Sequence, residues 1–214
     1  MRIGLWIAVL SGLLSVGLGA FNRTLDPAAT NDAIAIGLSR SEADRARFHQ
    51  AYRARGNGSP VDAIDVVTPF RRVVLAAESH TRNGGRLYGQ RDAMAVLEAT
   101  ANQVDVVVEL TFHPLNTFVG VPIYSVVLLR AGEQVAAADT ERVPRFGPRM
   151  AGDGLPYPYS GGGSAPTQAQ PLTGGTIVAH FDSMMVDPAG TYDIVIREEA
   201  REMARARFAF AALR

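Results

Sequence analysis

The sequence predicts a mainly β protein, an antiparallel β-sandwich with short N-terminal helices and one inserted helix. Residues 187–196 form a turn that ends in Gly-x-Tyr and leads into a strand, in which Tyr192, Ile194 and Ile196 share one face. The segment 104–112 alternates in the same way, with valine, leucine or phenylalanine at every second position. Since helical signals are confined to the residues before 63 and to 90–101, strands should dominate the fold.

Residues 21–62 are predicted to form an N-terminal helical segment. Asp26-Pro27 is typical of a helix start, and Ser41-Glu42-Ala43-Asp44 resembles a capping box with aspartate in the place of glutamate. We therefore expect helices near 31–38 and 41–53. The second should dock through a narrow apolar stripe.

Residues 63–214 are predicted to form the sandwich. The first strand is expected from Ala63 to Ala77, with a bend at Thr68-Pro69, because proline has no N–H to donate within a ladder. A turn at 82–85 should lead into the inserted helix, Gln90 to Ala101, whose apolar residues lie on one side.

The two strands that follow the inserted helix are apolar on both faces in part. They are the strand that begins at Val104 and a strand from Val121 to Leu129. Something must therefore cover the outer side of this sheet. The N-terminal helices are one candidate for that cover, and a partner protein is the other.

Regular structure is expected to lapse between 142 and 175. Six prolines and the run Gly161-Gly162-Gly163 disfavour both helix and strand, which predicts a long Pro/Gly-rich surface loop. Three strands should follow it, the first over 176–184. The last two should form a hairpin that turns at 198–201.

The turn Asp187-Pro188-Ala189-Gly190-Thr191-Tyr192 resembles the Asp-x-Gly-x-Tyr corner of immunoglobulin-like domains, whose tyrosine hydroxyl is tied to nearby backbone. With its flanking strands the resemblance covers about a quarter of the chain. It implies a bacterial immunoglobulin-like sandwich in which Asp187, Gly190 and Tyr192 build a structural corner, with Gly190 at positive φ. The paired cysteines and core tryptophan of antibody domains are missing. The resemblance therefore concerns architecture and implies no activity.

Residues 1–20 have the pattern of a Sec-type signal peptide. Arg2 precedes an apolar stretch, and Leu18-Gly19-Ala20 supplies small residues for a cleavage site before Phe21. This pattern predicts a periplasmic or secreted protein with no membrane contact after cleavage. An uncleaved anchor is the alternative, since Ile3 to Ala20 approaches the length of a spanning helix. A lipoprotein is excluded because the chain has no cysteine.

Composition excludes several classes of function. The 21 basic residues are all arginine and are balanced by 21 acidic ones, which gives no electrostatic reason to bind nucleic acid or anionic membrane surfaces. Without cysteine or lysine, thiolate and Schiff-base chemistry are impossible. The use of arginine alone, with abundant alanine and glycine, is typical of a high-GC bacterial genome.

Two loops are candidate recognition sites. The connection 112–122 is rich in apolar and aromatic side chains, so that Phe112, His113, Asn116 and Phe118 are possible contacts. The alternative is that Phe118 folds back to close the end of the core. Tyr157 and Tyr159, flanked by prolines in the long loop, are similar candidates for contact with protein or sugar.

The histidines suggest the one metal site worth testing. On the predicted strands, His113 and His180 point outward, beside Glu109 and Asp182 on the same faces. These four residues could form a metal site, but histidines in separate segments are more often single, solvated side chains.

We therefore expect no metal, no cofactor and no catalytic residue. The function expected is a non-catalytic structural or protein-interaction module of the bacterial cell envelope, with an envelope protein as the possible partner. A metal-dependent hydrolase that uses the four residues of the histidine site is the alternative, and a carbohydrate-binding module is a third possibility. An apolar patch or open sheet edge would favour interaction, whereas two histidines beside a carboxylate in one pocket would favour an enzyme.

Overall fold

A computed structural model describes residues 21–85, 87–147 and 171–214. Regular elements account for most of these residues. The helices are α1 Pro27–Gly37, α2 Glu42–Gln50, α3 Pro69–Arg82 and α4 Gln90–Ala99. The strands are β1 Arg53–Gly58, β2 Val61–Val67, β3 Gln103–Thr111, β4 Ser125–Arg130, β5 Glu133–Ala136, β6 Asp139–Phe146, β7 Leu172–Asp182, β8 Thr191–Glu198 and β9 Arg201–Ala209. Short 3₁₀ turns occupy Ser183–Met185 and Phe210–Ala212.

The strands form two antiparallel sheets. The five-stranded sheet has the order β1-β2-β3-β7-β6, and the four-stranded sheet has the order β5-β4-β8-β9. One large core cluster draws residues from both sheets, and its members come from alternate positions of β3 and β8. The prediction of a mainly β fold of two antiparallel sheets, compatible with a β-sandwich, is therefore confirmed.

The helices have a small core of their own. Ala33 and Ile34 from α1 pack with the apolar side of α3 and with Ala93 of α4. Phe48 of α2 packs against both this core and the sandwich core. The helices α1, α2 and α4 lie close to where the sequence predicted helices.

The prediction of one strand from Ala63 to Ala77 is wrong, because helix α3 starts where a bend was expected. Thr68 is the N-cap, and its hydroxyl accepts a hydrogen bond from the Arg71 N–H at 3.3 Å. Proline follows at the first helical position, where its missing N–H costs nothing. The apolar residues beyond it have helical spacing and are buried in the helical core: Phe70, Val73, Val74 and Ala77.

The prediction that residues 142–175 lack regular structure is wrong at both ends of that range. Strand β6 continues to Phe146, and β7 already begins at Leu172. Pro144 fits within β6 because this strand lies at the edge of its sheet, where one side of the backbone has no neighbouring strand. Residues 148–170 lie outside the described part of the chain.

The chain enters the sandwich at its first described residue. The Phe21 ring is 1% exposed and packs edge-on against Phe210, with 5.8 Å between the ring centroids. The Arg23 guanidinium donates to the carbonyl oxygens of Ser183 and Val186, each at 2.9 Å. Residues 21–23 are therefore an integral part of the folded domain.

Candidate functional site

The connection between β3 and β4 starts from a buried aromatic residue. Phe112 is 4% exposed, and its N–H donates to the carbonyl oxygen of Thr173 at 3.0 Å. Phe118 packs edge-on against it, with 5.0 Å between the ring centroids, yet stays 43% exposed. Phe118 therefore partly closes the end of the core, as the alternative interpretation expected, and also presents one side of its ring to solvent.

Asn116 ties this connection to the start of β7. Its side-chain amide donates to the carbonyl oxygens of His113 at 2.7 Å and Leu172 at 2.9 Å. Its side-chain oxygen accepts the Phe118 N–H at 3.0 Å. Because one amide joins both sides of the loop to the start of β7, the exposed side chains of the loop are presented from a fixed backbone.

Several large apolar side chains at this end of the sandwich face solvent. Leu115 is 83% exposed, Val119 98% and Ile123 81%. Val143 and Phe146, from the end of β6, are about half exposed. We name this set the loop-end surface, and its members are Leu115, Phe118, Val119, Ile123, Val143 and Phe146. The connection and β6 meet here, since Val121 lies directly against Gly175 of β7, whose partner on β6 is Pro144.

An open groove of about 830 Å³ adjoins the loop-end surface at Ile123. Its apolar part includes Val126 and Val127 of β4, and Arg142 and Arg197 lie among its charged residues. The groove exists because β5 is only four residues long, so β4 has no neighbour on that side at its first residues. It lies on the side of the sandwich where β5 and β6 form the sheet edges.

The corner before β8 is built around Tyr192. The Tyr192 ring is 2% exposed and packs against Phe210, and its hydroxyl accepts the Asp187 N–H at 2.7 Å. The Asp187 carboxylate accepts the Ala189 N–H at 2.9 Å and pairs with Arg130 at 2.7 Å. These contacts, the hydrogen bond from Ala189 first, hold the Asp187 pKa below its usual value.

The expectation of positive φ at Gly190 is wrong, and a different constraint requires glycine there. Its φ lies outside the left-handed region. A Cβ atom at this position would lie 2.7 Å from Cε2 of Tyr192 and 3.1 Å from the Asp187 carbonyl oxygen. Glycine is needed because the tyrosine ring and the backbone approach it closely.

The four residues of the alternative metal site do not converge. His113 follows Thr111 at one end of β3, whereas His180 lies opposite Asp105 near the other. At about 3.3 Å per residue, Thr111 and Asp105 are about 20 Å apart. Glu109 pairs with Arg53, and Asp182 accepts the Met184 N–H. In the described ranges, no group of three or more histidine, aspartate and glutamate side chains is placed to hold a metal ion.

Two of the histidines nevertheless lie beside carboxylates, in separate places. His180 Nδ1 is 2.8 Å from Asp105, whose other oxygen accepts from Arg72 at 2.6 Å. His49 Nε2 is 2.9 Å from Glu78. The enzyme interpretation required two such histidines in one pocket, and the groove that contains His180 does not include His49.

A buried ionic cluster, which the sequence did not predict, joins α3 to the outer face of the five-stranded sheet. The side chains of Arg71 and Asp65 are 7% and 6% exposed, and their atoms are 2.6 Å apart. Arg53 pairs with the second oxygen of Asp65 at 2.8 Å and also with Glu109, which lowers the Glu109 pKa. The available signal was a carboxylate directly between two apolar residues, Asp65 in β2 and Asp105 in β3.

The predicted recognition residues Tyr157 and Tyr159 fall outside the described residues, so their placement stays a prediction. Within the described chain, no helix is long and apolar enough to span a membrane.

No protein-family model, curated protein or solved structure matches this chain. The fold defines a mainly β protein of two antiparallel sheets with four helices in the described ranges.

Proposed function

We propose that this protein is an exported, non-catalytic interaction domain of the bacterial cell envelope, which binds a partner protein through the loop-end surface. The observation that carries the proposal is the exposure of large apolar side chains on a backbone fixed by Asn116. Exposed apolar residues that cluster on a preorganised loop favour association, because little conformational entropy remains to be lost on binding.

The partner that fits this surface is a folded protein with an apolar patch of its own. Leu115, Val119 and Ile123 carry no charge, whereas the adjoining groove contains both Arg142 and Glu198. An apolar centre with a mixed polar border resembles the anatomy of protein interfaces.

We further propose that the sandwich is immunoglobulin-like, and its strand order supports this. The neighbours β2-β3-β7-β6 correspond in connectivity to the A-B-E-D sheet of that fold, and β4-β8-β9 correspond to its C-F-G sheet. The hydrogen bond that the Tyr192 hydroxyl accepts from the Asp187 N–H also supports it, because it resembles the tyrosine corner of immunoglobulin-like domains. In this comparison the loop-end surface belongs to the connection between the second and third strands, at an end of the sandwich where such domains bind ligands.

The export part of the proposal rests on residues 1–20 and on Phe21. The apolar segment ends where the folded domain begins, so removal of residues 1–20 would leave the Phe21 ring in its buried position. Cleavage before Phe21 would therefore remove the signal peptide without removing any part of the folded domain.

Site-specific photo-crosslinking in cells of the source organism tests the interaction. A benzophenone amino acid replaces Val119 in the loop-end surface, and a matched control replaces Leu87, which is 87% exposed elsewhere. We expect a discrete adduct of defined mass at position 119 only, weakened when Leu115 and Ile123 are both changed to serine. Equal crosslinking at 119 and 87, or none at 119, would contradict the proposal.

A further inference from the structure

The end of the sandwich opposite the loop-end surface is the end at which the chain enters. In the pairing of β3 with β7, Thr111 lies opposite Gly174 and Gln103 lies opposite Asp182, so the two ends are separated by the length of β3. Arg23 binds the carbonyl oxygens on both sides of Met184 and Met185. Residues 21–23 and this methionine turn are therefore neighbours.

The methionine turn holds two apolar side chains out in solvent. Met184 is 62% exposed and Met185 is 66% exposed. The Met184 N–H donates to the Asp182 carboxylate at 2.8 Å, and Ser183 and Val186 on either side are completely buried. Because the backbone is fixed at both ends of the turn, neither methionine contributes to the core.

We propose that, in the form of the protein that retains residues 1–20, the end of the sandwich with Met184 and Met185 lies on the lipid bilayer, and that both side chains enter the headgroup region. Residues 3–20 are apolar and nearly long enough to span the hydrocarbon core. They lead directly into Phe21, which is buried, so no spacer separates the bilayer from the domain. This places Arg23 and the methionine turn beside the membrane surface.

The charges at this end show what kind of contact it makes. The polar groove beside the methionines contains two arginines, Arg23 and Arg130, and two acids, Glu133 and Asp187. Arg130 and Asp187 pair at 2.7 Å. Asp139 and Asp182 lie around Met184 as further acids, so this end has no excess of basic side chains. The contact therefore depends on apolar insertion and not on anionic headgroups, and it should need neither anionic lipid nor low salt. Methionine suits this role because its side chain is unbranched and flexible.

Fluorescence of labelled full-length protein in vesicles tests the inference. The chain has no cysteine, so Met184→Cys and Met185→Cys each give one labelling site. Val119→Cys, at the opposite end, is the matched control. Each variant is labelled with an environment-sensitive dye and reconstituted into phosphatidylcholine vesicles, and separately into vesicles that also contain phosphatidylglycerol, with or without a nitroxide lipid quencher.

We expect blue-shifted emission and several-fold stronger quenching by the nitroxide lipid at 184 and 185 than at 119, equally in both vesicle types. Met184→Ser should reduce the quenching of a dye at 185. Equal quenching at all three positions would overturn the inference. Quenching that appears only with phosphatidylglycerol would overturn the apolar mechanism. Neither outcome bears on the interaction proposed for the loop-end surface, which lies at the other end of the domain.

Discussion

Tyr192 stabilises the corner in two ways that substitution can separate. Tyr192→Phe keeps the ring against Phe210 and removes only the acceptor of the Asp187 N–H, so we expect a loss of about 1 kcal/mol in the free energy of unfolding. Tyr192→Ala also removes the ring and should cost about 3–5 kcal/mol. Urea denaturation measures both, and two values within about 0.5 kcal/mol of the original protein would contradict the corner.

Replacing one member of the buried pair of Arg71 and Asp65 should lower the free energy of unfolding strongly. Replacing both together should lower it much less. Asp65→Asn leaves the Arg71 charge without its closest partner, for which we expect a loss of about 3–5 kcal/mol. Replacing Arg71 with methionine and Asp65 with leucine together should restore much of that loss, because neither charge is then left buried alone. Denaturant unfolding of Asp65→Leu, Arg71→Met and the double variant measures the coupling between the two positions, and additive losses would contradict it.

At the scale of elements, the sequence predicted best where one periodicity extends without competing signals. Strands β3 and β8 have a core residue at every second position, and both were predicted. Helix α3 was missed because Thr68-Pro69 suits either a bend or a helix start. Its apolar residues also follow directly after those of β2, so the change of period from two to 3.6 is hidden within one apolar run.

The candidate site was less predictable than the fold. Phe112, Asn116 and Phe118 were identified because their loop is rich in aromatic and apolar residues. Whether Phe118 closes the core or faces solvent depends on its distance from Phe112, which no local pattern determines. The pairing of Asp65 with Arg71 likewise depends on how α3 lies over the sheet, which is a tertiary relation.

Substitution of Thr68 tests how helix α3 begins. Its hydroxyl accepts the Arg71 N–H and donates to the Arg214 carbonyl oxygen at 2.5 Å, so it both starts the helix and ties the C-terminus to it. Thr68→Ala should cost about 1–2 kcal/mol, whereas Thr68→Ser keeps the hydroxyl and should cost much less. If thermal unfolding gives the two variants equal stability, the hydroxyl has neither role.

At the scale of the whole molecule, the ion pairs predict loss of stability in acid. The pKa of Asp193 is lowered, first by its hydrogen bond from Arg207, and the pKa of Glu109 is lowered, first by its bond from Arg53. A carboxylate whose pKa is lower in the folded state than in the unfolded state stabilises the fold. This contribution is complete when the pH is above the unfolded pKa, 3.8 for aspartate and 4.5 for glutamate, and it is lost as the pH falls through the folded pKa.

Urea midpoints between neutral pH and the acid range measure this effect. We expect the contribution of these groups to be constant above the ordinary carboxylate range and to decline below it. Asp193→Asn should lower stability at neutral pH and make the acid decline shallower. Glu141→Gln, at an exposed position on β6, is the control and should change neither. An unchanged acid slope in Asp193→Asn would contradict the assignment.

Residues 21–23 stabilise the folded domain, and this limits where the signal peptide can be cleaved. Phe21 packs against Phe210, and Arg23 holds the methionine turn, so the first three described residues act as part of the sandwich although the helices follow them in sequence. A chain that starts at Phe21 should therefore unfold at the same urea concentration as the longer chain. One that starts at Thr24 should lose about 3–5 kcal/mol, the range for removing a buried phenylalanine.

Phe21→Ala and Asn22→Ala separate packing from length, since Asn22 is exposed and Phe21 is not. The first variant should lose most of what the shorter chain loses, and the second should lose little. Mass spectrometry of the exported protein should accordingly find an N-terminus near Phe21 and none beyond Arg23, because later cleavage removes part of the core. An exported form that begins after Arg23 and unfolds at the original urea concentration would show that residues 21–23 are dispensable. The boundary between the signal peptide and the folded domain would then lie further along the chain.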